Sequence, residues 1–223
     1  MIEASSSSQQ IRRVYDLWSY GYDFVAGPFE RAAEVAAVEM AAIQPHERVL
    51  EVAVGTGLAL KDIACRVARD NLVCGVDLSP RMLARSRRRV ERGGCKNVAL
   101  IEANATRLPF ADRSFDVLFN GYMLDLIRLA DLPIVLGEFL RVLRPGGRLV
   151  LVNFSKPDAG QLTLWERFYQ RLPRSWAAYL LGGCRPVVVQ TMAEQTGFVE
   201  ISRQFRPSLF LPTEIVTARR QPA

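Results

Sequence analysis

The chain of 223 residues has little histidine and no long apolar segment. Histidine occurs once, as His46, ahead of the first predicted core strand, so no histidine is placed to act as a general base. No apolar stretch reaches the roughly 18 residues of a membrane span, and residues 1–10 lack the basic region and apolar block of a secretory signal. These absences predict a cytoplasmic protein without a membrane-spanning segment.

Cysteine is present but not in a metal-binding pattern. Cys65, Cys74, Cys95 and Cys184 lack the C-x-x-C spacing that is typical of zinc sites. They are predicted to be free, buried thiols in a reducing cytoplasm. No acidic cluster marks an ion site either, so we expect no bound metal.

Positive charge exceeds negative charge and is concentrated in one segment. The net charge is +6, and residues 81–96 (RMLARSRRRVERGGCK) contain seven Arg or Lys. The segment could be a solvated helix face, or it could hold the protein at an anionic membrane surface or an acidic partner. The sequence has no recognition-helix or RNA-binding signature, so we expect no nucleic acid partner.

The chain is organised around residues 48–57 (RVLEVAVGTG). The Val-rich run predicts a short strand buried on both faces of a parallel sheet, and residues 58–68 predict a helix. Gly55 and Gly57 between them allow the backbone to approach a ligand, and the start of the helix offers free N–H groups. Glu51 is the only charge inside the strand, and burial of its carboxylate requires a partner.

A second strand, residues 71–77, ends in Asp77, twenty residues after Gly57. That is the spacing expected for a carboxylate that binds the hydroxyls of a ribose. A dinucleotide fingerprint would need a third glycine at position 60, which is Leu60. The pattern therefore predicts a nucleoside-binding site but is a poor match to the dinucleotide motif.

Strands and helices alternate along the rest of the chain. Helices are predicted at 9–20, 29–43, 58–68, 80–92 and 132–143, the fourth capped by Ser79 with Pro80 at its first position. Further strands are predicted at 97–102, 115–120, 148–154, 199–204 and 208–216, the last two as an antiparallel hairpin. The fold class is α/β, a Rossmann-like sheet of seven strands, mostly parallel, with helices on both faces.

The organisation changes after Lys156, where residues 161–181 predict an aromatic and basic helical insertion. It contains Trp165, Phe168, Tyr169, Trp176 and Tyr179. The chain is interpreted as a single domain: a helical N-terminal lid at 1–44, a cofactor-binding core at 45–155, the insertion or substrate cap at 156–197, and closing strands at 198–223. Because ligands bind at the carboxyl ends of the strands, the insertion is placed to cover an apolar acceptor.

Five motifs resemble those of a known family. Residues 50–57 (LEVAVGTG), 75–82 (GVDLSPRM), 104–110 (NATRLPF), 141–147 (RVLRPGG) and 153–157 (NFSKP) occur in the order seen in class I S-adenosylmethionine-dependent methyltransferases. The first and last are similar to the ubiquinone and menaquinone C-methyltransferases. The resemblance implies S-adenosylmethionine as cofactor and a small apolar or lipid-like acceptor, such as a prenylated quinol that is methylated on carbon. Residues 22–29 (YDFVAGPF) instead resemble phospholipid N-methyltransferases, so N- or O-methylation is the alternative.

The resemblance also assigns roles to single residues. Asp77 would bind the ribose, Glu51 the methionine amino group, and Leu78 and Met82 would flank the adenine. The full set of implied cofactor-binding residues is Tyr22, Glu51, Gly55, Thr56, Gly57, Asp77, Leu78, Met82, Asn104, Ala105 and Asn120. Tyr22 and Asp23 are similar to a Tyr-Asp pair of the family's N-terminal lid. At Gly121 the quinone enzymes tend to have a small hydroxyl residue, so one contact is expected to be lost.

Candidates for a catalytic base lie at the mouth of the predicted site. They are Asp125, Tyr122 and Asp23, with Asp125 ranked first on its position. Two other classes of function compete with methyl transfer. A nicotinamide-dependent oxidoreductase is weakened by the missing third glycine and by the lack of a Tyr-x-x-x-Lys pair. The remaining alternative is a non-catalytic, membrane-associated cofactor-binding protein.

Overall fold

A computed structural model describes residues 13, 16, 27–157, 167, 184–208 and 212–223. Its helices are α1 (Gly27–Met40), α2 (Leu58–Ala64), α3 (Pro80–Arg92), α4 (Leu132–Val142) and α5 (Gln190–Thr196). Its strands are β1 (Val49–Val52), β2 (Val73–Asp77), β3 (Val98–Glu102), β4 (Phe115–Gly121), β5 (Leu143–Phe154), β6 (Phe198–Arg206) and β7 (Thr213–Arg220). Among the described residues, no helix is long and apolar enough to cross a membrane.

The seven strands form one sheet in the order β3-β2-β1-β4-β5-β7-β6. Neighbours from β3 to β5 pair in parallel, whereas β7 is antiparallel to both β5 and β6. The predicted fold class, mostly parallel with a C-terminal antiparallel hairpin, is therefore confirmed. The order reverses at β1, so the carboxyl ends of β1 and β4 frame the point where ligands bind in open α/β sheets.

Apolar clusters cover both faces of the sheet. All four residues of β1 are buried, which fits a central parallel strand covered on both sides. On one face the core contains Leu50, Phe139 and Val216, beneath α4 and α5. On the other it contains Ala37, Ile63 and Phe119, beneath α1 and α2. This double covering is the layered arrangement that the alternation of strands and helices predicts.

The start of α3 agrees with the sequence. The Ser79 hydroxyl accepts a hydrogen bond from the Met82 amide at 3.1 Å, and Pro80 occupies the first turn. Two helix ends differ from the prediction. α2 ends at Ala64, four residues early, because Cys65 closes it with amide hydrogen bonds back to the preceding turn. α1 ends at Met40, and Ala42 then adopts a left-handed conformation well before Pro45.

The strands at the end of the sheet also differ in extent. β5 starts at Leu143 rather than at 148, because Leu143 pairs with Phe115 ahead of a register shift. The final strand was predicted at 208–216, but β7 spans Thr213–Arg220. Pairing with β5 as far as Arg148–Arg219 sets that boundary, so it depends on long-range contacts rather than on local sequence.

The cysteines are more exposed than predicted. Cys74 is buried in β2, but Cys65 is exposed, and Cys95 and Cys184 are intermediate. The Sγ atoms of Cys65 and Cys95 lie 3.8 Å apart, because these residues follow the ends of the neighbouring helices α2 and α3. The interpretation of all four as buried thiols was therefore wrong.

Parts of the predicted organisation fall outside the described residues. These are most of the N-terminal helix at 9–20, Tyr22 and Asp23 of the lid, and the insertion at 161–181 apart from residue 167. The division into lid, core, insertion and closing strands stays a prediction.

Candidate active site

A cleft lies at the carboxyl ends of β1, β2, β3 and β4, below the start of α1. Most of the residues that the sequence assigned to a cofactor converge there. They are Glu51, Gly55, Thr56, Asp77, Leu78, Met82, Asn104, Ala105 and the candidate catalytic residue Tyr122. These residues are separated by as many as 71 positions in sequence. They line one site because β1 is adjacent to both β2 and β4 in the sheet.

The two glycines of the turn after β1 have different roles. Gly55 has φ +50°, and a Cβ added to it would meet no atom within 4 Å, so its space belongs to the cleft. Gly57 has φ +83°, but its Cβ would lie 2.5 Å from Ser86 Oγ on α3. Gly57 therefore permits close packing of α2 against α3, and it is not among the described residues that line the cleft.

Asp77, the last residue of β2, links the end of β2 to the turn that follows β1. Its Oδ2 accepts a hydrogen bond from the Gly55 amide at 2.9 Å, and its Oδ1 accepts one from the Ser79 amide at 2.8 Å. The Ser79 hydroxyl in turn donates to the carboxylate of Asp16. Burial raises the pKa of Asp77 to about 6, despite the hydrogen bonds from Ser79 and Gly55. A carboxylate in this position can still accept hydrogen bonds from ligand hydroxyls.

The raised pKa of Asp77 predicts a pH dependence of ligand binding. Its ordinary value is 3.8 and its folded value about 6, so ionisation opposes folding. The stabilising contribution is therefore fully present below about pH 3.8 and is lost as the pH rises through about 6. The resemblance assigns the ribose hydroxyls of S-adenosylmethionine to the Asp77 carboxylate, so we expect the affinity for this cofactor to fall by up to about tenfold per pH unit below pH 6.

Calorimetric titrations between pH 5 and 8 test this dependence. Among the described acids, Asp16 and Glu51 interact electrostatically with Asp77, and Glu102 is its neighbour on β3. Asp77→Asn and Glu51→Gln show whether the midpoint belongs to Asp77. The midpoint near 6 should disappear in Asp77→Asn and persist in Glu51→Gln. An affinity that stays constant from pH 5 to 8 in the unaltered protein would refute the assignment.

Glu51 is a buried acid whose side chain lines the cleft. It is 3% exposed, and within the described part of the chain its Oε2 has no hydrogen-bond partner. Burial, followed by the charges of Glu34, Asp77 and Asp62, raises its pKa well above the ordinary value. A buried carboxylate oxygen without a partner in the described part of the chain fits a site that receives a positively charged or donor group.

Two acids of the cleft were missed from the sequence. Glu30 and Glu34 lie one turn apart on α1, and both line the cleft. Residues 29–43 were predicted only as a helix of the N-terminal lid, and Ala33 and Ala37 of α1 are buried. The signal that could have revealed the acids is their i,i+4 spacing, which places both on one face of the helix.

A basic residue was also missed. Arg89 belongs to the charged segment that was considered only as a surface or a membrane contact. Its Nη1 donates to the Thr56 carbonyl at 2.8 Å and to the Thr56 hydroxyl at 2.7 Å. Arg89 therefore fixes the glycine turn from α3, and no local sequence pattern indicates this contact across 33 positions.

The far end of the cleft is more apolar. Met82 is buried, and Leu78, Ala103 and Ala105 line the same region after β2 and β3. Asn104 Oδ1 accepts a hydrogen bond from the Thr106 amide at 3.0 Å, which orients its side chain. Small apolar surfaces beside an amide are suited to a flat heterocycle such as adenine.

The end of β4 supplies Asn120 and Tyr122. The Asn120 amide nitrogen donates to the Val52 carbonyl at 2.7 Å, and the residue is fully buried. Asn120 is not among the described residues lining the cleft, and its side chain links β4 to β1. Its role in binding a cofactor stays a prediction. Tyr122 does line the cleft, at a left-handed φ of +48°. Ala53, after β1, has φ +60°, so strained backbone occurs at both strand ends that frame the site.

Asp125 lies behind the wall of the cleft. It is 1% exposed, and it is not among the described lining residues, although Leu126 and Ile127 are. Its carbonyl accepts a hydrogen bond from the Arg185 amide at 3.2 Å, and Arg185 Nη2 donates to the Ile127 carbonyl. Burial raises the pKa of Asp125 to about 7, against the opposing charge of Arg185. This placement favours a role in holding the wall, and Asp125 as a base stays a prediction.

Comparison with known proteins gives the family. Residues 7–180 match the ubiE/COQ5 methyltransferase family. The chain is 31% identical to the demethylmenaquinone methyltransferase of Symbiobacterium thermophilum over 96% of this chain and 94% of that protein. It is 40% identical to the demethylmenaquinone methyltransferase of Thermus thermophilus over 60% of this chain and 59% of that protein. The match to the Ectopseudomonas mendocina ubiquinone/menaquinone biosynthesis C-methyltransferase UbiE, at 35% identity, spans 64% of this chain and 54% of that protein.

Solved structures share the fold at low sequence identity. The [4+2]-cyclase SpnF has a TM-score of 0.75 at 21% identity over 97% of each chain. The N-methyltransferase NodS of Bradyrhizobium japonicum, solved with S-adenosylhomocysteine, has a TM-score of 0.72 at 15% identity over 95% of this chain and 98% of that one. These likenesses support the Rossmann-like fold, while the family match identifies the enzyme class and its cofactor, S-adenosylmethionine. The chain is a methyltransferase that belongs to the ubiE/COQ5 methyltransferase family.

Proposed function

We propose that this enzyme transfers a methyl group from S-adenosylmethionine to a ring carbon of a prenylated quinol. The observation that carries the proposal is the apolar wall beside the acidic cleft. Tyr122, Met123 and Leu126 are each 6–7% exposed and line the cleft after β4, together with Ile127. A largely apolar surface that includes one tyrosine ring favours a flat, apolar acceptor over a small polar one. The names of the relatives, which methylate demethylmenaquinone or serve ubiquinone and menaquinone biosynthesis, support the same class.

The residues of the cleft fit the cofactor. Glu51 Oε2, which has no partner among the described residues, would accept from its amino group, and Asp77 would accept from the ribose hydroxyls. The open space at Gly55 would admit the methionine part, and Leu78, Met82, Asn104 and Ala105 would surround the adenine. When bound, S-adenosylmethionine supplies an electrophilic methyl group on a sulfonium. The protein contributes alignment and exclusion of water.

Tyr122 is the polar group best placed for the acceptor. Its hydroxyl is 3.2 Å from Thr213 Oγ1, and burial raises the pKa of the phenol further above its ordinary value. The phenol is therefore protonated at neutral pH and can donate to an acceptor oxygen. We propose that Tyr122 orients the quinol and that Asp125 helps to hold the wall that follows it.

A comparison of acceptors tests the proposed function. The protein is incubated with S-adenosylmethionine and either a chemically reduced demethylated prenyl naphthoquinol or a phosphatidylethanolamine vesicle. Turnover of the quinol with a product heavier by one methylene unit supports the proposal. Turnover of the amine lipid alone would replace it with an N-methyltransferase, and turnover of neither would overturn the quinol acceptor.

We further propose that α3 brings the enzyme to an anionic membrane where such acceptors reside. Arg81, Arg87, Arg88 and Arg92 are exposed on this helix. Attraction of about 1 kcal/mol per basic residue near the surface predicts that Arg87→Gln/Arg88→Gln lowers vesicle affinity about 30-fold. Sedimentation with vesicles of increasing phosphatidylserine content measures this, and binding should weaken in high salt.

The matched control for the vesicle measurement is Arg107→Gln/Arg113→Gln. Both residues are exposed, and both lie outside α3. This variant removes the same charge from another surface, so it should bind nearly as well as the unaltered protein. Equal losses in the two double variants would show that only net charge matters and that α3 has no special role.

A further inference from the structure

An acidic wall of three carboxylates, formed by Glu30, Glu34 and Glu51, lines one side of the cleft. Glu51 comes from β1, and the other two come from one face of α1. Glu34 Oε1 lies 3.6 Å from the position that a Cβ on Gly121 would occupy, so it reaches over the end of β4. Glu51 pairs with Phe119 in the adjacent strand, two residues before Gly121, and therefore faces the same side of the sheet.

Burial favours a positively charged partner at this wall. Glu30 is 9% exposed and Glu51 is 3% exposed. The Glu51 Oε2 atom lines the cleft without a hydrogen-bond partner among the described residues, which indicates an incoming donor. Repulsion from Glu34 adds to burial in raising the pKa of Glu51. A cation with several N–H donors would relieve both the repulsion and the unsatisfied oxygen.

We propose that Glu30 and Glu34 extend Glu51 into a binding site for the α-ammonium group of S-adenosylmethionine. The inference rests on the proposed placement of the cofactor, with its ribose at Asp77 on β2 and its methionine part at Gly55 after β1. The strands β2, β1 and β4 are neighbours in this order. Asp77 lies on β2, Glu51 lies on β1, and Glu34 lies over the end of β4, so the two glutamates follow the ribose site across the sheet. The acceptor region contrasts with this wall, because the cleft-lining residues that follow Tyr122 are Met123, Leu126 and Ile127.

The proposal makes α1 a determinant of cofactor affinity rather than only a packing helix. Glu30 and Glu34 stand one turn apart, so both can face one ammonium group that carries three N–H donors. Ala33, between them in sequence, is 6% exposed and packs in the core beneath the helix. Packing of the apolar face of α1 against the core thus fixes the position of its two carboxylates in the cleft.

Calorimetry with two ligands tests the proposal without any acceptor. S-adenosylhomocysteine carries the ammonium group, and its deaminated analogue carries hydrogen in that place. We expect Glu34→Gln to weaken binding of S-adenosylhomocysteine about tenfold and to leave the affinity for the deaminated analogue within about twofold. Glu30→Gln should behave in the same way. Glu39→Gln, an exposed position on the same helix, is the matched control and should change neither affinity.

Each other result overturns the proposal. Equal loss of both ligands would mean that Glu34 shapes the cleft instead of binding the ammonium. A third titration, with S-adenosylmethionine, covers the sulfonium: loss of S-adenosylmethionine affinity without loss of S-adenosylhomocysteine affinity would place the wall there. Unchanged affinities for both ligands would show that the two carboxylates of α1 do not contact the ammonium group. Thermal unfolding of each variant confirms that it is folded. If Glu34→Gln does not fold, the same comparison of the two ligands is made with Glu30→Gln. Failure of quinol turnover would not affect this test, because only cofactor analogues are bound.

Discussion

Asp77→Ala is expected to weaken binding of S-adenosylmethionine by about 100-fold or more. Each hydrogen bond from a ribose hydroxyl to a carboxylate contributes about 1.5–3 kcal/mol, and the proposed role of Asp77 includes two of them. The substitution also removes the acceptors of the Gly55 and Ser79 amides, which hold the ends of β1 and β2 around the ligand. Calorimetry measures the affinity, and circular dichroism checks that the variant remains folded.

Two further variants separate the roles of Asp77. Asp70→Ala removes an exposed carboxylate just before β2 and should leave the affinity unchanged. Asp77→Asn keeps one oxygen acceptor, so its loss should be smaller than that of Asp77→Ala. Affinity like that of the unaltered protein in a folded Asp77→Ala variant would remove Asp77 from the ribose site.

Gly55→Val is expected to abolish detectable cofactor binding while the domain stays folded. The Cβ position at Gly55 is open, so the added methyl groups would occupy the space assigned to the methionine part. The left-handed φ of +50° adds strain for a β-branched residue, and the cost is about 1–2 kcal/mol. Binding is measured by calorimetry, and stability is measured by thermal unfolding.

Gly94→Val is the matched control for this effect. Gly94 follows α3, has φ +73°, and also has no atom within 4 Å of an added Cβ. The two variants carry similar backbone strain, but only Gly55 lies in the cleft. Similar destabilisation with binding lost only in Gly55→Val is the expected pattern. Normal binding by folded Gly55→Val would show that the glycine turn is not the cofactor site.

The sheet was predictable because its strongest signals are local. The Val-rich run before Gly55 favours burial on both faces, and the Ser79-Pro80 pair combines a favoured N-cap with a favoured first helical residue. The spacing from the glycine turn to Asp77 is fixed by the length of one helix and one strand. The hydrogen bond from the Gly55 amide to Asp77 is the direct result of that geometry.

The features that the sequence missed depend on contacts between distant elements. The side of α1 that faces the cleft is decided by packing against α2, β5 and β7, so Glu30 and Glu34 could not be separated from surface acids in advance. Arg89 reaches Thr56 from another helix. The extent of β7 follows from its pairing with β5. Asp125 was ranked as a base from its position after β4, but its burial behind Leu126 depends on Arg185 from a much later segment.

The position of the transferred methyl group on the product tests the central claim most directly. The protein is incubated with S-adenosylmethionine carrying a trideuterated methyl group and with a reduced, demethylated prenyl naphthoquinol, and the product is analysed by NMR and mass spectrometry. We predict a single trideuterated methyl group bonded to the vacant ring carbon, with loss of that carbon's proton. A methyl group on a ring oxygen, or no labelled quinol under conditions where the cofactor binds, would contradict C-methylation of a quinol by this enzyme.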